Sequence, residues 1–434
     1  MRKGKRWLAA AVSAAMIVQS LASVGPVYAA DDGVSIADTF TDSSFRSYVS
    51  SNFDTDSNGY LSDAEISNVT SIDVSKCSPA ISSLNGVELF TNLSKLDCNE
   101  QSIRNLDIEN LENLEYIDVS SNRIDSLTLP VSAEKLTYLD ISGNKITSLT
   151  SLADYNNLVL LNANSTNLSS IDVSNMKGLK VLGVSGTTIS TLDLGSNMEL
   201  TTLYCDSMRS LPVLDVSGHE KLKNLYCAGA KSDSGVVVRS SITKLDVSGD
   251  IVLGSLDCSN SYVAELNIDN TPALTTLDCS NTRLTSIDVS KNTSLSYLDV
   301  SSNVLGVVDF TANTALRELY VKDTGINKLD VSTLTNLVNL DASSNSLAEL
   351  DIASNSLLEK LYLSDNNIQG IKLDGHPDLK ELEIDNNNLV AIDISVCPKL
   401  YGDDGVFSCS GNSRDITLDT TNYDYDFSDF SKVY

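Results

Sequence analysis

Histidine and basic charge are scarce in this chain, and long apolar runs are absent once the first thirty residues are passed. The 434 residues include two histidines and 30 lysines and arginines, against 58 aspartates and glutamates. So few histidines leave no Cys–His or Ser–His–Asp grouping with supporting context. The formal net charge of −28 repels phosphates and excludes a nucleic-acid binder. It also argues against docking on an anionic membrane, and it favours solubility, divalent cations and basic partners. No segment beyond residue 30 is apolar for long enough to cross a bilayer, so no membrane insertion is expected.

The first thirty residues differ from the rest. Arg2, Lys3, Lys5 and Arg6 precede an apolar run over 7–18, and Val27-Tyr28-Ala29 follows as a small-x-Ala cleavage pattern. Residues 1–30 therefore read as a secretory signal peptide, with processing after Ala29 or Ala30. No cysteine follows the cut and no Leu-Pro-x-Thr-Gly motif is present. A secreted or extracellular protein is expected, possible association with a cell surface being left open.

Beyond the leader the chain repeats. A leucine recurs at 93, 114, 136, 158, 179, 200 and 222, then at 253, 274, 295, 316, 337, 358, 379 and 400. The step is 21 or 22 residues except between Leu222 and Leu253, where about ten residues are inserted near 230–241. A degenerate first turn starts at Val69. Counting from each leucine, positions 1, 4, 6, 11, 14 and 16 are apolar, and 4 and 6 alternate as in a strand. Position 9 is often asparagine, as at Asn122, Asn144, Asn303, Asn345, Asn366 and Asn387. One such unit cannot bury its own apolar face, so about 15 turns over 69–400 must stack into one core. At ~4.8 Å per parallel strand the stack should be roughly 70 Å long.

The pattern L-x-x-L-x-L-x-x-N-x-L resembles the leucine-rich repeat. Its nested second half, L-x-x-L-D-V-S, looks like the short bacterial class. The resemblance implies a mainly β, or α/β, repeat fold, a solenoid with a parallel β-sheet. It also implies an exported or surface protein that binds proteins or glycans. Both solenoid ends need covers. Phe45, Tyr48, Val49 and Phe53 share one helical face, placing an N-terminal cap over 31–68, and the segment 401–434 reads as a C-terminal cap or linker.

Within the N-terminal cap, residues 54–65 match the twelve-residue EF-hand loop. Asp54, Asp56 and Asn58 offer side-chain oxygens, Tyr60 a backbone carbonyl, Ser62 a direct or water-borne contact, and Glu65 a bidentate carboxylate. Gly59 permits the sharp turn. A single structural Ca²⁺ that stabilises the cap is expected. The loop also resembles those of dockerins, which carry two where this chain has one.

Aspartates form two rows, one at position 5, read as facing solvent (Asp97, Asp118, Asp140, Asp257, Asp278, Asp299), and one at position 15 (Asp172, Asp193, Asp288, Asp309). Recurrence in nearly every turn marks them as scaffold or solubilising, with a cation-binding stripe as the sharper alternative. Departures from the rule are the better ligand candidates: Asn162, Tyr204 and Tyr226 at position 5, and Met208 at position 9. Tyr320 with Tyr362, and Tyr116 with Tyr138, are lesser candidates. Cys98, Cys205, Cys227, Cys258 and Cys279 fall at the inward position 6 and are expected as buried thiols. Any bridge would join Cys397 to Cys409. His219 and His376 precede repeat starts and are expected in exposed loops. The many Asp pairs single out no two-carboxylate site, so the chain reads as a non-enzyme. The reading is a secreted binding or adhesion protein. The alternatives are a spacer module of a surface or polysaccharide-degrading assembly and, less well supported, a hydrolase.

Overall fold

Three residues of each repeat, spanning positions 3 to 5, form a strand, with the position-4 leucine or isoleucine turned inward. In the computed structural model, which describes residues 33–149, 152, 155–231, 236–402, 404–412 and 417–419, sixteen such strands make one parallel sheet. It runs from Ser71–Asp73 to Val406–Ser408. Register is strict: Leu277 lies opposite Leu256 on one side and Leu298 on the other. The candidate leader and residues 420–434 lie outside the described residues, as does the tip of the insertion, 232–235.

A smaller, three-stranded parallel sheet forms on another side of the coil, from Val213–Asp215, Lys244–Asp246 and Glu265–Asn267. Leucines at positions 1 and 4 and the apolar residues at 6 are buried from turn to turn in a single core. Each fully buried leucine contributes about 1.5–3 kcal/mol relative to an exposed one. The chain turns after the strand through a left-handed residue at position 8, such as Ser121, Ser302 and Asn386.

The asparagine at position 9 ties that turn to the preceding one. Asn303 Nδ2 donates to the Cys279 carbonyl at 2.9 Å, and its Oδ1 accepts from the Leu284 amide at 3.0 Å. Asn122, Asn144, Asn366 and Asn387 repeat this arrangement. Gln101 and Asn412 do the same at the two ends.

The N-terminal cap has three helices, α1 (Ile36–Thr39), α2 (Ser43–Asn52) and α3 (Asp63–Asn68). Asp42 caps α2 by accepting from the Ser44 and Phe45 amides. Phe40 and Phe53 meet Phe90 of the first turns at ring-centroid distances of 6.0 and 5.4 Å, so cap and solenoid share one core. At the other end Val406–Ser408 adds the last strand, and Thr417–Asp419 pairs with Ala391–Asp393.

The histidines are not in exposed loops. His219 and His376 are 2% and 1% exposed. They occupy a buried corner of the turn that elsewhere holds Asn197, Asn313 and Asn355. Each ring spans two backbone carbonyls, Val216 and Leu194 for His219, Leu373 and Ile352 for His376. The sequence reading missed this because the corner tolerates any side chain that can reach those carbonyls.

Asp250 occupies the same corner and is fully buried. Its Oδ1 accepts from the His219 amide at 2.7 Å, and its Oδ2 has no partner. Burial pushes its carboxyl up to about 8, with repulsion from Asp246 and Asp215 adding to it and the His219 N–H opposing. Unfolded, the group ionises near 3.8. The folded state is therefore most favoured below about pH 4 and loses that advantage as pH rises towards 8. Asparagine at this corner donates to two carbonyls of the preceding turn, as Asn355 does to Val331 and Leu334. Asp250→Asn should raise the melting temperature by several degrees at pH 8, and the gain should shrink towards pH 4. Thermal melts of both proteins across that range check this.

Candidate calcium loop and ligand face

The loop between α2 and α3 is folded by its own carboxylates. Asp54 Oδ1 accepts from the Asn58 amide at 3.1 Å and Oδ2 from the Gly59 amide at 3.0 Å. Asn58 Oδ1 accepts from the Tyr60 amide at 2.7 Å. Tyr60–Leu61 pairs antiparallel with Val34–Ser35, which fixes the far side of the loop. Gly59, at φ +86°, makes the turn a side chain would strain. Glu65 reaches back across the loop. Its Oε1 accepts from the Thr55 amide at 2.7 Å, and its Oε2 from the Ser62 amide at 2.9 Å in a capping box for α3. Burial raises the Glu65 carboxyl, but bonds from Thr55 and Ser62 outweigh it and hold the group down at about 2.

Carboxylate oxygens of Asp54, Asp56 and Glu65 come within 4.8 Å of one another. Three carboxylates on a backbone bent by glycine offer hard oxygens of the kind a calcium-sized cation takes. The carboxylates of three of the six residues singled out thus converge. Asn58 Nδ2 donates to Asp56 Oδ2 and Ser62 Oγ to Glu65 Oε2, each at 2.9 Å, and the Tyr60 amide donates to Asn58 Oδ1.

On the strand face the aspartate rows behave as scaffold. Asp118 and Asp140 accept from the amides of Ser120 and Ser142 two residues on, at 3.0 and 2.9 Å. Position 5 is less open than its place on the strand suggests: Asp97, Asp118, Asp140 and Asn162 are buried by neighbouring turns, while from Tyr204 onward the row is half-buried. Burial raises the carboxyls of Asp118, Asp140 and Asp299, and takes Asp278 to about 6. The other row is exposed. There the side-chain and backbone bonds from Ser174, Ser290 and Thr311 lower Asp172, Asp288 and Asp309.

Two ligand candidates move into the scaffold. Met208 is fully buried, with Thr187 Oγ1 3.6 Å from its sulfur, because position 9 of its turn points inward as it does at Asn122, Asn144 and Asn303. Asn162 is buried and donates to Asp140 Oδ2 at 2.7 Å. Gly183 follows from that network, since a Cβ there would meet Asn162 Oδ1 and Asn164 at 2.8 Å.

Tyr204 and Tyr226 remain on the face. Their rings stack at 5.0 Å and 9° on adjacent strands. Tyr116 and Tyr138 stack at 4.2 Å and 11°. Tyr320 does not pair with Tyr362, because the strand carrying Asp341 stands between them. It meets Tyr297 instead at 5.5 Å, and the Tyr362 hydroxyl donates to Glu381.

Known families and structures agree with this geometry. A model described as leucine-rich repeats in two copies matches residues 112–154, and a single leucine-rich repeat matches 291–308. The functional domain of InlJ from Listeria monocytogenes, described as including a cysteine ladder, is 31% identical. It superposes with a TM-score of 0.73 over 86% of this chain and 80% of that one. The chain belongs to the leucine-rich-repeat family. An internalin, InlF, from Listeria monocytogenes has the same fold at 19% identity and a TM-score of 0.57, covering 80% of this chain and 97% of its own. The leucine-rich-repeat protein LIC12759 of Leptospira interrogans does so at 20% and 0.54, covering 75% and 91%. No curated protein sequence matches. No helix among the described residues of this leucine-rich-repeat chain is long and apolar enough to cross a membrane.

The cysteines of these repeats are free thiols, and Cys397 and Cys409 are not bridged. Cys98, Cys258 and Cys279 are fully buried, and burial raises each of them well above its ordinary value. Titration with a thiol reagent should find the five position-6 cysteines unreactive in the native protein and all eight reactive in denaturant. Fewer than eight in non-reducing denaturant would mean a bridge.

Proposed function

We propose that this leucine-rich-repeat protein is exported and binds an extracellular protein or glycan through its strand face, with one calcium ion stabilising the N-terminal cap. The observation that carries the reading is the Tyr204–Tyr226 stack. It replaces aspartates in a face whose repeat rule is acidic, directly beside the one insertion in the array. Stacked tyrosines offer large contact area at low entropic cost, and both ring edges can serve an apolar or a hydroxylated ligand. The leader-like residues 1–30 and the likeness to internalins support an exported binder.

Binding should be scored on an array of extracellular proteins, cell-wall glycans and plant polysaccharides. A ligand held by the wild type should bind Tyr204→Ala/Tyr226→Ala at least tenfold more weakly, while the variant keeps its melting temperature. Equal affinity would move the ligand elsewhere.

In the cap, calcium would sit among Asp54, Asp56, Asn58, the Tyr60 carbonyl, Ser62 and Glu65. Calcium at a hundredfold excess over Kd should stabilise the fold by about 2.7 kcal/mol. A rise in melting temperature with calcium in the wild type, and none in Asp54→Ala, is the expected result.

A further inference from the structure

The insertion builds a second surface, beyond the turn that follows the strand Asn224–Tyr226. Its chain leaves at Ala230–Lys231 and returns at Val237–Val238 as an antiparallel hairpin. Arg239, at its exit, donates to the carbonyls of Ser261 and Asn281 and to Asn281 Oδ1. Its guanidinium lies 5.5 Å from the centre of the Tyr262 ring, and that of Arg283 lies 4.2 Å from the same ring. All of Arg239's bonds go to neutral acceptors. The ion pairs among the described residues are all made by lysines, so neither arginine has a carboxylate partner. Among the described residues, then, Arg239 is anchored by hydrogen bonds, Arg283 lies over the Tyr262 ring, and neither guanidinium faces a carboxylate.

Apolar side chains flank them. Tyr262, Arg283 and Val304 occupy position 10 on successive turns, their amides donating in turn to Ser240, Val263 and Leu284. Val304 is 76% exposed, Val307 three residues on is 84%, and Val236 at the hairpin is 61%. They are among the most exposed large apolar residues described. Isolated exposed valines mean little, but here they border an ordered Arg–Tyr–Arg cluster, the side-chain types that dominate protein interfaces.

We infer that this edge, formed by Arg239, Tyr262, Arg283, Val304 and Val307, is a docking surface for an acidic protein segment that carries apolar side chains beside its carboxylates. The two guanidinium charges, without a carboxylate partner among the described residues, select the sign of the partner. The valines favour a polypeptide over a polyanionic saccharide, and the two guanidinia occupy the ring on which a sugar would stack. This surface does not depend on the Tyr204–Tyr226 reading, and either can fail without the other.

A random peptide-display library selected on the full chain tests the inference. Recovered peptides should be enriched in Asp and Glu next to apolar residues and should lose affinity as salt screens the charges. They should bind Arg239→Ser/Arg283→Ser at least tenfold more weakly. They should bind Val304→Ser/Val307→Ser severalfold more weakly, and because those side chains are exposed, that variant keeps the fold. Peptides without acidic enrichment, or unchanged binding to both double variants, overturn it. So does polygalacturonate binding these residues more tightly than any selected peptide, which would assign the edge to a glycan.

Discussion

A buried asparagine amide joins one turn to the turn before it, and the surfaces of this solenoid inherit their positions from that joint. Asn303, Asn366 and Asn387 each donate from Nδ2 to one carbonyl of the preceding turn and one of their own, and accept one amide of the preceding turn at Oδ1. A neutral side chain that both donates and accepts is what a stack of identical turns requires at a buried bend. Where asparagine is missing, Thr187 and Thr324 satisfy the carbonyl three residues earlier in their own turns. Leaving such backbone groups unpaired would cost about 1–3 kcal/mol each.

With the turns locked in register, each outward position becomes a row, and a row multiplies the chemistry of one residue. Aspartate followed two residues later by serine or threonine recurs on two sides of the coil with opposite electrostatic results. On the sheet, neighbouring rows bury it and its proton is held more tightly, as at Asp118 and Asp278. On the far side Asp172 and Asp309 stand in water, and the same hydrogen bonds favour the charged form. The local motif is equal in both; solvent access decides the sign.

The solenoid, its register and the inward cysteines were legible because period and apolar pattern are local properties that stacking preserves. The turn that gathers the carboxylates of Asp54, Asp56 and Glu65 was legible for a similar reason, since its residues fall within twelve consecutive positions. What sequence could not convey depends on who lies alongside. Asn162 and Met208 stood out as breaks in the pattern, yet one bonds to Asp140 and the other fills the core. His219 and His376 looked like loop residues because a polar side chain before a repeat start is ordinarily outside. Only the carbonyls facing that corner explain their burial. The Arg239–Tyr262–Arg283 cluster was hard to read in sequence, since its members come from an insertion and two separate turns. The one available signal was three basic or aromatic residues near position 10 around the longest repeat.

Across the insertion the sheet does not notice that anything has been added. Leu225 lies opposite Leu256 just as Leu256 lies opposite Leu277, although 31 residues separate the first pair and 21 the second. A detour that leaves and rejoins at the same edge changes no inward contact. The same backbone could therefore carry hairpins of other lengths and compositions at this point, acquiring new specificities one loop at a time while its folding instructions stay untouched.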